Sequence, residues 1–278
     1  MNFMECDVNY EDSQIVLFGA PFEGTVTNRK GTEYGPAHIR EESYALETYS
    51  PYLDRDLEDI FVHDAGDLAL LNYDTEATIN TISEFVAKVL DDKKKPLMMG
   101  GEHLVSLPSI LEAHKRFPDL RVIHFDAHTD LRDEYLGVKL SHSAVIYRVW
   151  ETLGEQKIWQ FGIRSGTRQE FRWAEIGHTN LTKFNFAGLG KLCEDLAASN
   201  TPVYLTIDLD VLDTSVFPGT GTPEPGGVTF SELLDAIKML SKVNIVAADV
   251  VELAPTLDQS GTSTSVACKV LRELMLIL

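Results

Sequence analysis

Cysteine is scarce. The 278 residues hold three, Cys6, Cys193 and Cys268, far apart and in no C-x-x-C pair. That excludes a disulfide framework and a thiolate zinc knuckle, and it fits a reducing cytosol. Long apolar runs are missing too; none approaches the roughly 20 residues that cross a bilayer. The opening MNFMECDVNYED has neither a basic n-region nor an apolar h-region, so no signal peptide and a cytoplasmic location are expected. Positive charge is outnumbered, 24 Lys and Arg against 43 Asp and Glu, for a formal net charge of −19. Such a surface repels nucleic acid and anionic membranes, so neither is an expected partner, whereas a small cation would be attracted. Linkers, low-complexity tracts and repeats are also absent, which points to one domain over residues 1–278.

What is present is alternation. Short apolar runs predict strands at 14–20, 59–67, 95–101, 121–126, 157–164, 178–184, 202–210 and 243–252. Between them lie helical patterns. In 75–93 the apolar residues Ile79, Ile82, Phe85, Val86, Val89 and Leu90 recur at helical spacing. Segment 36–49 opens on Pro36, suited to a first helical turn. Segment 229–240 opens on Thr229, a good N-cap, and a last helix is expected at 261–277. Repeated strand–helix alternation predicts an α/β fold with a parallel sheet of about eight strands. A closed eight-stranded barrel is the rival, and both architectures put their sites at the carboxyl ends of the strands.

Four of the predicted strands end in acids or histidine: Glu102 and His103, then Asp126 with His128 and Asp130, then Asp208 and Asp210, then Asp249 to Glu252. Asp126, His128 and Asp130 stand two apart, as do Asp208 and Asp210, so in extended chain each set points to one side. A single D-x-H would read as a turn or a helix cap. Four strand ends at once would instead crowd two histidines and four aspartates into one crevice, with no Lys or Arg inside these motifs to neutralise them. Carboxylates with imidazole and no thiolate suit Mn, Mg, Fe or Zn, and this many carboxylates suit two such ions rather than one. His124 falls inside a predicted strand and is expected in the core or behind the ligands. His38, His63, His114 and His178 have no partner motif and are expected at the surface or in caps.

Taken together, GGEH (100–103), DAHTD (126–130), SHS (141–143), DLDVLDTSVFPGTGTPEPGG (208–227) and DVVELAP (249–255) resemble the ureohydrolase family of arginases and agmatinases. Segment 19–41 resembles the opening of its agmatinase-like members. The resemblance implies a three-layer αβα fold around an eight-stranded parallel sheet, two Mn²⁺ per subunit, and a homo-trimer or homo-hexamer. It implies that Asp126 and Asp208 bridge the metals, His103 and Asp130 complete one, and His128 and Asp210 the other. By position His142 matches a proton-shuttling histidine and Glu252 the carboxylate that pairs with a guanidinium. Three positions depart from the commonest family pattern. Glu102 stands for Asp, with little effect expected; Ser143 stands for Gly, with its loop geometry at stake; Asp213-Thr214 stands for Asp-Pro.

The implied reaction is hydrolysis of a guanidino group to urea and an amine, with Asp130 orienting the nucleophile. PGTGTPEPGG favours agmatine, giving putrescine, with guanidinobutyrate next and arginine or formiminoglutamate behind. In the loop 131–141, Asp133 and Glu134 could receive an ammonium, and Arg132 and Lys139 a carboxylate. Two other classes stand beside this one. A non-catalytic relative that binds polyamines or a partner would have lost ligands, and all six are here. A dinuclear phosphatase on another fold would not need Glu252.

Overall fold

A computed structural model describes residues 1–278. Eight strands form one sheet: β1 Ile15–Ala20, β2 Val62–Asp67, β3 Lys95–Gly100, β4 Arg121–Phe125, β5 Ile158–Ile163, β6 Asn180–Lys183, β7 Val203–Asp208 and β8 Ile245–Val251. Every predicted strand is present. Their order across the sheet is β2-β1-β3-β8-β7-β4-β5-β6, and all neighbours run parallel. The sheet is open, with β2 and β6 as its edges, so the barrel alternative is excluded. A two-stranded hairpin of Tyr49–Ser50 and Arg55–Asp56 stands apart.

The helices are α1 Gly35–Ser43, α2 Thr75–Asp91, α3 Ser106–Arg116, α4 Val145–Leu153, α5 Arg168–Glu175, α6 Leu189–Ser199, α7 Phe230–Met239 and α8 Thr262–Ile277. The inner strands β1, β7 and β8 are buried along their whole length, as expected of parallel strands covered on both faces. One apolar cluster joins the sheet to α1, α6, α7 and α8, through Ile39, Leu196, Leu233 and Leu271 among others. A second joins the opposite face to α2, α3, α4 and α5, through Ile82, Ile110, Val149 and Ala174. The result is three layers, αβα.

Local chemistry explains where helices begin. Asp74 caps α2 by accepting from Ala77 N–H at 3.0 Å, and reciprocal capping boxes open α5 (Thr167 with Glu170) and α7 (Thr229 with Glu232). Helix α1 stops at Ser43, short of the 36–49 prediction. No helix is long and apolar enough to cross a membrane.

Candidate active site

The four strands that end in acids or histidine are β3, β8, β7 and β4, which are the four contiguous strands at the centre of the sheet. Sequence separation does not predict this adjacency. Register then aligns the ends: Phe125 pairs with Ile207, and Asp208 with Val251. Asp126, Asp208 and Glu252 therefore leave the sheet at one level. The β3 end reaches them through Gly101, where a Cβ would lie 2.1 Å from the Phe22 carbonyl oxygen, so only glycine fits this close approach.

All six predicted metal ligands converge. His103 Nδ1 lies 3.2 Å from Asp126 Oδ2, 3.2 Å from Asp130 Oδ2 and 3.4 Å from Asp208 Oδ2. On the other side of Asp126, His128 Nδ1 lies 3.5 Å from Asp126 Oδ1 and 3.0 Å from Asp210 Oδ2. Asp126 thus faces both imidazoles, one with each oxygen. Five of the six are buried, and His128 is partly exposed. Asp130 holds a left-handed φ of +51° and Glu252 one of +68°. Such backbone is strained for residues with a Cβ and persists only where the surroundings enforce it. For Asp130 the surroundings include α4, whose first N–H groups, from Ile146 and Tyr147, donate to its carbonyl at 3.1 and 3.2 Å.

Electrostatics show what this cluster demands. Burial, with the charges of Asp210 and Asp126, raises the Asp208 carboxyl well above the ordinary range. Burial, with Asp210 and Glu102, pushes Glu252 up to about 8. Asp126 goes the other way: burial opposes its ionisation, but His124, His103 and His128 hold it well below the usual value. Burial pulls His103 down, yet Asp126, Asp130 and Asp208 together lift it well above an ordinary imidazole. The site calls for positive charge at its centre. The donor set fits a metal on independent grounds. The buried atoms His103 Nδ1 and Asp210 Oδ2 have no hydrogen-bond partner, a condition that costs roughly 1–3 kcal/mol per group unless something electropositive takes the lone pair. Two groups of side chains lie close enough to hold an ion, His103 with His124, Asp126 and Asp130, and Asp126 with His128 and Asp210.

His124 is closer to the site than a packing residue. Its Nε2 is 2.8 Å from Asp126 Oδ2, and its Nδ1 is 3.1 Å from Gln160 Nε2. Gln160 can only donate there, so Nδ1 accepts and Nε2–H donates to Asp126. A ring protonated at Nε2 orients the carboxylate and is not a metal ligand on that side. Other supports were not legible in the sequence. His103 Nε2 lies 3.0 Å from Thr206 Oγ1, which donates to Asp249 Oδ1 at 2.6 Å. Asp249 is thus inside β8 behind His103, not at the strand end. Glu170 accepts from Thr129 Oγ1 at 2.7 Å and Thr167 N at 2.7 Å, tying the 129–131 loop to α5.

The cluster opens into a cavity of about 510 Å³ whose walls include His142, Glu252, Asn28, Tyr135, Arg132 and Glu170. Glu252 Oε1 accepts from the His103 backbone N–H at 2.8 Å, which fixes the carboxylate at the cavity floor. Burial lowers the His142 pKa although Asp130 opposes the shift. Ser143 is not among the residues with positive φ, so this position does not need glycine. Asp213 accepts from Ser215 N at 3.0 Å, Gly226 N at 2.8 Å and Gly227 N at 3.1 Å, closing the 213–227 loop. Of the loop charges, Asp133 pairs with Arg148. Arg132 stacks 4.4 Å above the Tyr135 ring and lies 3.9 Å from Glu170. The remaining histidines stay outside: His38 is exposed, His114 partly buried, His63 bonds the Val8 carbonyl, and His178 packs on Trp173 and pairs with Glu155.

An open αβα sheet with a buried carboxylate–imidazole centre at its carboxyl edge defines a class: α/β enzymes built around a site for two cations. The arginase family model matches residues 13–277, and the chain belongs to that family. It is 47% identical to the agmatinase of Bacillus cereus over 99% of this chain and 95% of that protein. A solved structure from Clostridium difficile is 49% identical, with a TM-score of 0.92 over 97% of this chain and 98% of that one. The agmatine ureohydrolase of Thermoplasma volcanium is 32% identical, with a TM-score of 0.90 over 99% and 93%. The protein is an agmatinase-like ureohydrolase.

Proposed function

We propose that the protein hydrolyses agmatine to putrescine and urea with two Mn²⁺ bound in the cluster. His103, Asp126, His128, Asp130, Asp208 and Asp210 would hold the ions. Two such ions, when bound, supply hydroxide at neutral pH. The observation that carries the reading is Glu252: a buried carboxylate at the floor of a polar cavity, fixed by one backbone N–H. A cation with N–H donors suits it there, and a planar guanidinium offers paired N–H donors to a carboxylate. Asp130 orients the nucleophile toward the guanidinium carbon. As the new C–O bond replaces the C–N bond, His142 gives a proton to the departing amine nitrogen, a task suited to imidazole.

Agmatine is preferred because the cavity is lined by Glu170, Asp130, Asp208 and Glu252 against one basic side chain with a permanent charge, Arg132. That arginine lies beside Glu170 and stacks on Tyr135. A second reading, guanidinobutyrate, has this same Arg132 in its favour, since it could receive the substrate's carboxylate. Urea release is to be measured on agmatine, guanidinobutyrate, arginine and formiminoglutamate with added Mn²⁺, alongside Mg²⁺, Fe²⁺ and Zn²⁺. Turnover on agmatine at least tenfold above the others supports the reading, and no urea from any of them with two metals bound sinks it. His142→Asn and Glu252→Gln, with metal content measured, check the roles: metal retained and turnover lost is expected of both.

A further inference from the structure

Glu102 is fully buried beside the cluster, and its carboxylate bonds Thr25. Oε2 accepts from the Thr25 backbone N–H at 2.8 Å, and Oε1 accepts from the Thr25 hydroxyl. Thr25 has a single hydroxyl proton, so its oxygen can only accept from its remaining neighbours. Both neighbours belong to His142. Its backbone N–H donates to Thr25 Oγ1 at 3.1 Å, and its Nδ1 lies 3.4 Å from the same oxygen. The cavity-lining histidine is therefore gripped at two atoms by one hydroxyl, which is held by a buried carboxylate two residue-contacts away.

We propose that Thr25, fixed by Glu102, is a positioning residue that sets the tautomer and ring angle of His142. With Oγ1 as acceptor, Nδ1 carries a proton and the neutral ring has its lone pair at Nε2, so Nε2 takes up a second proton from solvent and is the nitrogen that passes it to the departing amine. The arrangement is the hydroxyl-bridged counterpart of a carboxylate that orients a catalytic histidine by its far nitrogen. The inference rests on the proton-donor role given to His142 above. It also assigns work to the glutamate that stands where the family commonly has aspartate.

The test uses Thr25→Val, which keeps shape and removes the hydroxyl, and Thr25→Ser, which keeps the hydroxyl. Both are assayed as metal-loaded full-length protein with metal content and melting temperature recorded. A positioned acid–base group contributes roughly 100- to 10,000-fold, so loss of positioning alone should lower kcat on the order of 10- to 100-fold. KM should change less than about threefold, because Thr25 is not assigned a substrate contact. Thr25→Ser should recover most of kcat. In a His142→Asn background, Thr25→Val should cost nothing further, since the group it positions is gone. Full kcat in Thr25→Val, with His142→Asn inactive, overturns the relay and leaves the histidine's role intact. Full kcat in His142→Asn overturns the proton-donor reading and the relay with it. Equal losses in both backgrounds show a merely structural threonine and overturn the relay. If Thr25→Val loses metal, Glu102→Gln takes its place: a fall in kcat that vanishes in the His142→Asn background is expected, and unchanged kcat overturns the proposal.

Discussion

Thr206→Val is the sharpest probe of how the site is held. Val is nearly the shape of Thr, so packing in the interior of β7 is preserved and only the hydroxyl is lost. In the structure that hydroxyl joins His103 Nε2 at 3.0 Å to Asp249 Oδ1 at 2.6 Å. Asp249 keeps Tyr204 OH at 2.5 Å; His103 Nε2–H is left with nothing. Losing one neutral bond (~0.5–1.5 kcal/mol) and one bond to an acidic side chain (~1.5–3 kcal/mol) gives about 2–4.5 kcal/mol of destabilisation. For a chain of this size that is a melting temperature lower by roughly 5–10 °C. The second consequence concerns metal. With Nε2–H donating to Thr206, Nδ1 is the lone pair that faces Asp126, Asp130 and Asp208. Without the acceptor the tautomer and ring angle are no longer fixed, and loss of such an outer partner costs about 10- to 100-fold in metal affinity. The assay is Mn²⁺ titration of stripped protein, read by calorimetry and by recovery of urea release. Affinity unchanged within about threefold, with the melting point lowered, would refute the argument that Thr206 orients His103, because destabilisation alone would then account for it.

Removing metal with a chelator should lower the melting temperature reversibly, since buried carboxylates are left facing one another; calorimetry before and after re-addition of Mn²⁺ checks this. Gly101→Ala forces a methyl into the space of the Phe22 carbonyl; a loss of about 1–3 kcal/mol by denaturant unfolding, with metal binding weakened, is expected. Thr229→Ala deletes the N-cap of α7 and should cost about 1 kcal/mol, seen as a lower denaturant midpoint at unchanged slope. Asp258 gives an acid-range signature. Burial opposes its ionisation, but bonds from Ser260 and Ser263 bring it from 3.8 down to about 2. Its folded value lies below its unfolded one, so its contribution is complete above about pH 4 and fades as pH falls from there through about 2. Stability measured against pH should therefore fall less steeply over that window in Asp258→Asn than in the parent.

All eight strands and the helices α2, α7 and α8 were legible because their signals are local: apolar runs, helical spacing, and Thr229 before an apolar face. The six convergent acids and histidines were legible for a related reason. Each set directly follows a strand, and that was enough; the expected extended spacing is not what aligns them, since Asp210 lies in a 3-10 turn, Leu209–Val211, capped by Asp208, and Asp130 holds a left-handed φ of +51°. Helix α1 was overextended because nothing in YALETY marks the stop after Ser43. The supports behind the site, Thr206, Gln160, Glu170 and Thr25, left no local trace, since their partners lie between 19 and 117 residues away. His124 was expected in the core or behind the ligands and stands behind Asp126, whereas Asp249, expected at a strand end, lies inside β8; the partners of both became visible only when β4, β7 and β8 were neighbours.

The sequence by itself determined the α/β alternation, the parallel sheet and a charge cluster that demands cations, because these follow from periodicity and from counting charges near strand ends. Tertiary structure alone decided that β3, β8, β7 and β4 lie side by side and which nitrogen of each histidine faces the acids. Strand order and register are set by packing of whole faces against helices, and a tautomer is set by the partner on the far side of the ring. Neither quantity is stored in any one stretch of chain.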